Sequence, residues 1–247
     1  MGFSSSAMTR HLSNSSRLIL NICTNLGHAI WPQQCLLCCA QATATPVCGA
    51  CYANLPWLTA MRCPQCALPT SHGEVCGACL SQPPHYDAVV AAFAYAWPLA
   101  PLVQRYKYSG NLALSSLLGQ TLASRVAGHG VDLIIPMPLA AARLRSRGFN
   151  QSLEVARVVS RTTGVPVAAS ACRRVRDTAP QTALPWRERA RNIRGAFVCD
   201  ADLTGKRVAV IDDVMTTGAT LNELARNLRK AGAAEIRGWM VARTLPR

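Results

Sequence analysis

Two adjacent carboxylates followed by a hydroxyl-rich turn form the stretch of this sequence best suited to chemistry. Residues 208–220 read VAVIDDVMTTGAT, an apolar run followed by the acids Asp212 and Asp213 and then by a small turn. Backbone N–H groups at a turn that opens a helix bind phosphate, and threonine hydroxyls add further donors. The carboxylates would repel phosphate, so they must face hydroxyl groups or a cation. A phosphorylated sugar satisfies both halves. The residues of the turn are Thr216, Thr217, Gly218, Ala219 and Thr220.

This stretch resembles the phosphoribosyl-pyrophosphate (PRPP) signature of type I phosphoribosyltransferases, in which two acids follow a buried strand and precede a threonine-rich loop. The resemblance implies that Asp212 and Asp213 hold the ribose hydroxyls at the catalytic centre. It also implies that the loop from Thr216 to Thr220 holds the 5′-phosphate. The alternative is an ordinary strand, turn and helix with a solvated acidic pair.

Eight cysteines in residues 31–82 have the spacing of zinc ligands. Each Cys-x-x-Cys turn presents two thiolates, and two such turns close a tetrahedron around Zn²⁺. We therefore expect two structural zinc ions, which a segment of about 50 residues with few core-forming side chains needs in order to fold. Sequential pairing is preferred to a cross-brace, and disulfides or redox-active thiols are the alternative. The pairs are Cys35/Cys38, Cys48/Cys51, Cys63/Cys66 and Cys76/Cys79.

Two arginine-rich blocks follow predicted strands. Arg143, Arg145 and Arg147 are spaced by two and precede Gly-Phe-Asn-Gln. Arginine binds phosphate bidentately, so this block predicts a pyrophosphate contact, with a solvated basic helix face as the alternative. The second block runs through residues 173–195, includes Arg173 and Arg189, and predicts a mobile lid that closes over the substrate. Its alternative is a solvated, partly disordered loop.

Alternating strands and helices are expected to position these groups. They predict an α/β fold with a right-handed parallel sheet flanked by helices, and its ligands should lie at the carboxyl ends of the strands. The expected strands are residues 87–96, 131–136, 165–169, 195–199, 208–211 and 236–242. The expected helices are 99–108, 112–127 and 150–163, with a loop between residues 136 and 150 and a last helix that Gly232 ends.

Three segments are predicted along the chain. Residues 1–30 are Ser-rich and predict a lead-in helix or tail, residues 31–82 a small Cys-rich double zinc ribbon, and residues 85–247 a phosphoribosyltransferase-like domain. No apolar run reaches the length of a membrane span. The cysteine spacing, with no convincing export signal, favours a reducing cytoplasm over a secreted disulfide framework.

The chain is strongly basic. Its formal charge is +14, and 23 of its 26 basic residues are arginine. Such a balance fits a polyanionic ligand or nucleic acid. A coding bias toward arginine explains the choice of arginine over lysine equally well, but it leaves the excess of positive charge to be explained.

Several of these blocks together resemble the competence protein F (ComF) phosphoribosyltransferase-like proteins. The resemblance covers nearly the whole chain after residue 30 and adds the motifs YKYSG at 106–110, TAPQ at 178–181 and RARNIRGAF at 189–197. It departs at Cys39, where a small residue such as glycine is usual, and at Ala140, where a polar or basic residue is common.

The ComF resemblance implies a bacterial cytoplasmic protein of DNA uptake or DNA use that binds PRPP with Mg²⁺, its acceptor unassigned. One rival is a single-stranded-DNA module with a vestigial phosphate site, in which aromatic side chains stack on bases beside arginines. Another is an adaptor whose zinc ribbons dock a helicase or recombination partner. The aromatic residues of the first rival are Tyr106, Tyr108, Phe149 and Trp186.

Overall fold

The computed structural model of this chain describes residues 33–42, 45–109, 112–176 and 191–246. The lead-in segment predicted at residues 1–30 and the central part of the predicted lid, with Trp186 and Arg189, lie outside these ranges. Of the described residues, those up to Cys51 form one compact unit and those from Tyr52 onward form another. This division falls inside the segment 31–82, and the predicted domain boundaries remain predictions.

The first part of the described chain contains only short elements. Strands β1 (Gln33–Gln34) and β2 (Gln41–Ala42) pair antiparallel, with Gln33 opposite Ala42. Helix α1 (Gly49–Ala53) follows. Elements of this length bury little apolar surface, so this part of the chain depends on its cysteines for stability.

The second unit is built on a parallel sheet of four strands. Helix α2 (Gly77–Ser81) precedes β3 (Ala88–Ala94), and β4 (Leu133–Pro136), β7 (Arg207–Met215) and β8 (Glu235–Arg243) complete a sheet in the order β3-β8-β7-β4. Every neighbouring pair is parallel. β7 lies inside the sheet, and its residues Val208–Ile211 are fully buried, which explains why they are all apolar.

Helices cover both faces of this sheet. Helices α3 (Leu99–Ser109), α4 (Leu112–Val126) and α6 (Gln151–Thr163) belong to one layer, in which α4 and α6 pack on each other and on the strands. Helix α7 (Ala219–Lys230) packs on β8 and places Leu221 and Leu224 in one buried cluster with Val208 and Val210. Among the described helices, none is long and apolar enough to cross a bilayer.

Two predicted strands are not part of the main sheet. Residues 165–169 form only one parallel bridge, between Val167 and Ile134, because Pro166 has no N–H with which to extend the ladder. Residues 197–199 are a strand, β6 (Phe197–Cys199), but they pair antiparallel with β5 (Cys172–Arg174) in a separate small sheet. Strands that are successive along a chain commonly pair with each other in this way.

Two further elements differ from the sequence-based expectation. Residues predicted as a loop contain helix α5 (Ala141–Arg147), which alanine, leucine and arginine favour and which Gly148 ends with a φ of 76°. Strand β7 continues past Ile211 to Met215, so the two acids lie within the strand, with Asp212 opposite Met240. The strand therefore holds the acids more rigidly than a loop would.

Candidate functional site

The loop between β7 and α7 is shaped by one glycine. Gly218 has a φ of 82°, and a Cβ built on it would lie 2.7 Å from Met215 Cε and 3.0 Å from Tyr86 Oη. The positive φ favours glycine here, and a side chain would also have to displace the ends of the Met215 and Tyr86 side chains. The hydroxyl of Thr217 accepts a hydrogen bond from the N–H of Ala219, the first residue of α7, at 3.1 Å, and the N-cap residue Gly218 contributes no side-chain cap.

The predicted turn residues and an acid meet at one small concavity. Asp212, Thr216, Gly218 and Thr220 line it, and its volume of about 30 Å³ is too small to enclose a sugar phosphate. A ligand there must lie across its open rim. A cavity of about 490 Å³ lies beside Lys230 and one of about 580 Å³ beside Trp239, but neither is lined by Asp212 or Asp213. The chemistry of the side chains therefore identifies the site better than cavity size does.

The acidic pair is held by a defined set of donors. Asp212 Oδ1 accepts hydrogen bonds from the Ser152 hydroxyl at 3.0 Å and from the Asp213 N–H at 2.9 Å. Asp213 is only 8% exposed, accepts from the Val214 N–H at 2.6 Å and pairs with Lys107 Nζ at 3.0 Å. One acid thus has a cationic partner, whereas the other is held by neutral donors.

This difference changes the ionisation of the pair. Burial, and next the repulsion of Asp213, raise the pKa of Asp212 to about 7. Burial acts to lower the pKa of Lys107, but the attraction of Asp213 and Asp212 outweighs it, so that pKa lies above its ordinary value. Lys107 is therefore charged at neutral pH, while Asp212 is close to its titration midpoint.

The positions of Lys107 and Ser152 in the site were not predicted from the sequence. Lys107 belongs to the YKYSG motif and is one of only three lysines in the chain. These two features were the signals in the sequence that could have pointed to a role for Lys107. Ser152 is buried in the first turn of α6. The Asn150 side chain caps this helix by accepting from the Ser152 N–H at 3.0 Å, and it donates to the Met137 carbonyl at 3.1 Å. This cap holds the serine hydroxyl beside Asp212.

The first arginine block lies on a helix that starts near the acid pair. The Met137 N–H bonds the Ile211 carbonyl at 2.8 Å, so the chain leaves β4 next to Asp212, four residues before α5 begins. Positions four apart on a helix share a face, so Arg143 and Arg147 point together and Arg145 points elsewhere. Arg147 also donates to Gln151 Oε1 at 3.1 Å. Arg143 and Arg147 are therefore better placed than Arg145 to act on one pyrophosphate.

The second arginine block is anchored at its base. Arg173 pairs with Asp200 at 2.8 Å, and both side chains are more than half exposed. Arg176 Nη1 donates to the Arg194 carbonyl at 2.6 Å, and the Gly195 N–H donates to Glu223 of α7 at 2.8 Å. These bonds tie both ends of the predicted lid, and the sequence did not predict the contact with Glu223.

The eight cysteines form two groups of four with the sequential pairing predicted. One group is Cys35, Cys38, Cys48 and Cys51, the other is Cys63, Cys66, Cys76 and Cys79, and within each group all Sγ atoms lie within 4.8 Å of one another. Neither group contains a histidine. Four thiolates in one place repel each other strongly, which a dication relieves.

The geometry of the two groups suits zinc. Bonds of about 2.3 Å to a tetrahedral zinc ion place sulfurs roughly 3.8 Å apart. The Cys38–Cys48 and Cys66–Cys76 sulfur distances are 3.7 and 3.6 Å. Burial acts to raise the pKa of the Cys35 thiol, but backbone N–H donors, first that of Cys48, lower it to about 6. Such stabilised thiolates are good zinc ligands.

The departure at Cys39 also has a structural explanation. Cys39 and Ala67 follow the second cysteine of their knuckles and have φ values of 61° and 59°, the left-handed region in which glycine is favoured. Each N–H bonds the carbonyl of the first cysteine of its knuckle, at 3.0 and 2.9 Å. Both turns therefore place a side-chain-bearing residue in a conformation that is less costly for glycine.

Comparisons with known proteins agree with this geometry. Residues 26–80 match the family described as double zinc ribbon domain, and residues 114–244 match the phosphoribosyl transferase domain family. The DNA utilization protein YhgH of Shigella flexneri is 38% identical over 191 residues, covering 74% of this chain and 84% of that protein. Competence protein F of Haemophilus influenzae is 33% identical over 219 residues, covering 85% of this chain and 90% of that protein.

One more distant relative is also named a competence protein. Competence protein ComFC of Streptococcus pneumoniae is 25% identical over 157 residues, covering 62% of this chain and 67% of that protein. The solved glutamine PRPP amidotransferase from B. subtilis superposes with a TM-score of 0.39 at 22% identity, over 55% of this chain and 30% of that one, too low to support an argument.

The fold and its cysteine clusters define a phosphoribosyltransferase-type α/β domain preceded by a double zinc ribbon. Within that class, the chain belongs to the competence protein F family.

Proposed function

We propose that this chain binds PRPP together with Mg²⁺ at the β7–α7 loop and acts in the uptake or use of external DNA. The observation that carries the binding proposal is the acid pair, with Asp213 buried and matched by Lys107 and Asp212 half-buried, beside a loop in which Gly218 has a positive φ. The similarity to a DNA utilization protein and to competence protein F supports the role in the uptake or use of DNA.

Each part of the site suits one part of PRPP. Asp212 and Asp213 accept hydrogen bonds from the ribose hydroxyls, while the loop from Thr216 to Thr220 donates to the 5′-phosphate. Arg143 and Arg147 contribute positive charge toward the pyrophosphate. Mg²⁺, held mainly through substrate oxygens, supplies further charge neutralisation.

A transfer reaction at this site needs no protein nucleophile. The bond between C1′ and pyrophosphate breaks as a bond from C1′ to an acceptor forms, and the protein positions both partners and neutralises the leaving group. We propose this phosphoribosyl transfer, with the acceptor unassigned. The proposal includes two structural zinc ions, one in each cysteine cluster, and a reducing cytoplasmic location in which the thiols stay available.

Calorimetric titration with PRPP and Mg²⁺ tests the binding proposal. The wild-type protein should bind, and the double variant Asp212→Asn/Asp213→Asn should not. Asp132→Asn is the matched control, because Asp132 is an acid at the other end of the sheet that pairs with Arg207. Equal binding by the wild type and the double variant would contradict the proposal. Release of pyrophosphate with a panel of bases and DNA ends then tests transfer and identifies the acceptor.

One structural feature favours a second candidate function, binding of single-stranded DNA. Tyr108 is 79% exposed, and the guanidinium of Arg147 lies 5.5 Å from its ring centroid, an arrangement of charge and stacking surface that suits a nucleic-acid base and its phosphate. The earlier candidate Tyr106 is fully buried and bonds the Gln151 carbonyl at 2.9 Å, so it cannot stack on a base. Phe149 packs against it, with ring centroids 5.8 Å apart.

Fluorescence anisotropy with labelled single-stranded DNA over a salt series tests this second function. Arg147→Ala and Tyr108→Ala should each weaken binding, and the logarithm of the affinity should fall steeply with the logarithm of salt concentration. Arg173→Ala removes the same charge from an exposed ion pair on the β5–β6 sheet and serves as the control. Equal weakening by Arg147→Ala and Arg173→Ala would indicate general charge attraction rather than this surface.

A further inference from the structure

A buried arginine connects the second cysteine cluster directly to the phosphate loop. Arg243 is the last residue of β8, and it is only 2% exposed. Its Nε donates to the Cys66 carbonyl at 2.8 Å, and its Nη1 donates to the Met215 carbonyl at 3.0 Å and to the Thr216 carbonyl. One rigid guanidinium therefore holds a cysteine knuckle and the start of the loop together.

The charge of this guanidinium has an unusual neighbourhood. Burying a cation is costly unless an anion or several acceptors compensate for lost water. In the described part of the chain, Arg243 forms no ion pair with a carboxylate. Its hydrogen bonds go to neutral acceptors, the carbonyls of Cys66, Met215, Thr216 and Thr244, which compensate for lost water but do not balance the charge. The nearby anionic group is the cluster that contains Cys66. Four thiolates around Zn²⁺ carry a net charge of about −2, so a zinc-loaded cluster is a suitable counter-ion.

The hydrogen bonds of Arg243 also orient the loop. The C=O and N–H of a trans peptide point in opposite directions, and the peptide plane is rigid. Because Arg243 holds the carbonyls of Met215 and Thr216, the N–H groups of Thr216 and Thr217 point away from it. Arg243 therefore sets the direction of donors in the loop that precedes α7.

We propose that Arg243 is a positioning residue that couples the zinc-loaded cluster of Cys63, Cys66, Cys76 and Cys79 to the phosphate loop. Zinc in this cluster keeps Arg243 in place, and Arg243 keeps the loop in the conformation that receives phosphate. The binding of a phosphate by this loop rests on the proposed function, whereas the coupling between the cysteine cluster and the loop does not. Loss of zinc from this cluster should therefore weaken phosphate binding at a site built by other residues.

Hydrogen–deuterium exchange on the full-length zinc-loaded protein tests the coupling without any ligand. Arg243→Met should accelerate exchange in peptides covering residues 215–220 by about tenfold, the factor expected for one lost hydrogen bond to a charged group. Exchange at residues 208–211 should stay unchanged. Arg237→Met is the matched control, because Arg237 lies on the same strand but pairs with Glu235. Unchanged exchange at 215–220 in Arg243→Met would overturn the proposal.

The variant Arg243→Lys distinguishes the effect of the positive charge from the effect of the hydrogen bonds that join the cluster to the loop. It also keeps the test valid if the Arg243→Met protein fails to fold. Lysine keeps a cation beside the cluster but lacks the planar fork that reaches acceptors on both sides. The Lys variant should melt near the wild-type temperature and still show faster exchange at residues 215–220. Wild-type exchange in the Lys variant would show that bridging is not required and would overturn the proposal.

Zinc is tested by removing one ligand from each cluster. Cys79→Ser should lose one zinc equivalent and accelerate exchange at residues 215–220, while Cys51→Ser should lose one equivalent without that effect. In the Arg243→Met background, Cys79→Ser should add little further acceleration, because the connection is already broken. Equal effects of the two serine variants would overturn the coupling. If the wild type binds no PRPP, the proposed function fails, but these exchange results still decide the coupling.

Discussion

Replacing Asp212 with asparagine should stabilise the protein near neutral pH and abolish the proposed binding of PRPP. The pKa of Asp212 rises from 3.8 to about 7, first because of burial and then because of Asp213. The folded state therefore keeps a proton that the unfolded state releases, so the stability associated with this proton is present below pH 4 and is lost as the pH rises toward 7. Asparagine does not titrate and keeps an oxygen that accepts from Ser152.

The size of the effect follows from the shift in pKa. One unit corresponds to about 1.4 kcal/mol, so a shift of about three units corresponds to roughly 4 kcal/mol across the whole window. Because acid protonates the cysteine ligands and releases zinc, stability can be measured only above about pH 5.5. Between there and pH 7, the wild type should lose about 2 kcal/mol relative to the variant, or about 4–8 °C in Tm for a protein of this size.

Thermal unfolding of both proteins at pH 5.5, 6.5 and 7.5 measures the difference. The Tm advantage of Asp212→Asn should grow with pH and level off above 7, while calorimetry shows no PRPP binding by the variant. Asp132→Asn is the control, and it should lower the Tm instead of raising it. Hydrogen bonds from Arg207 lower the pKa of Asp132, so the charged form of this carboxylate stabilises the folded state. A Tm difference between wild type and Asp212→Asn that does not vary with pH would refute the reasoning.

Three further predictions concern the loop, the lysine and the metal. Gly218→Ala should weaken PRPP binding by tenfold or more, because the added Cβ would meet Tyr86 and Met215. Gly164 has a similar φ but open space around it, so the control Gly164→Ala should lower only the Tm, through a backbone strain of about 1 kcal/mol. Lys107→Met should lower stability by about 1–3 kcal/mol in thermal unfolding, because it leaves Asp213 buried without its cation. Elemental analysis should find two zinc ions per chain, and a chelator that removes both should lower Tm.

Each of these predictions has an outcome that contradicts it. Equal loss of PRPP affinity in Gly218→Ala and Gly164→Ala would mean that the crowded loop is not the binding site. A Lys107→Met protein as stable as the exposed-lysine control Lys206→Met would show that the ion pair contributes nothing. One zinc ion per chain, or none, would contradict the assignment of a metal to both cysteine clusters.

Features built from neighbouring residues were predictable from the sequence. The Cys-x-x-Cys spacing predicted two clusters, and the structure groups the cysteines in that order. The stretch from Val208 to Thr220 predicted a buried strand, a tight loop and a helix, and all three are present. Spacing along the chain determines these features, because thiolates three positions apart in a turn, or N–H groups at one helix start, are necessarily close.

Local reasoning was wrong where an element depends on its partner. Residues 195–199 were expected as a short strand, and β6 forms there, but it pairs with β5 rather than with the main sheet, because the pattern of apolar residues does not specify which strand pairs with which. The residues of helix α5 were expected as a loop, with a basic helix face as the alternative for the arginines, and the structure has the helix, which arginine and alanine favour. As a helix, it directs Arg145 away from Arg143 and Arg147.

The sequence by itself determined the ligand types of this protein: eight thiolates in pairs, two adjacent carboxylates and a glycine-containing loop before a helix. Only the tertiary structure decided which distant residues complete the site. Lys107 reaches Asp213, Ser152 reaches Asp212, and Arg243 reaches Cys66 across 177 positions of the chain. The physical reason is that these contacts depend on the register of parallel strands and the packing of helices on them, which no local spacing encodes.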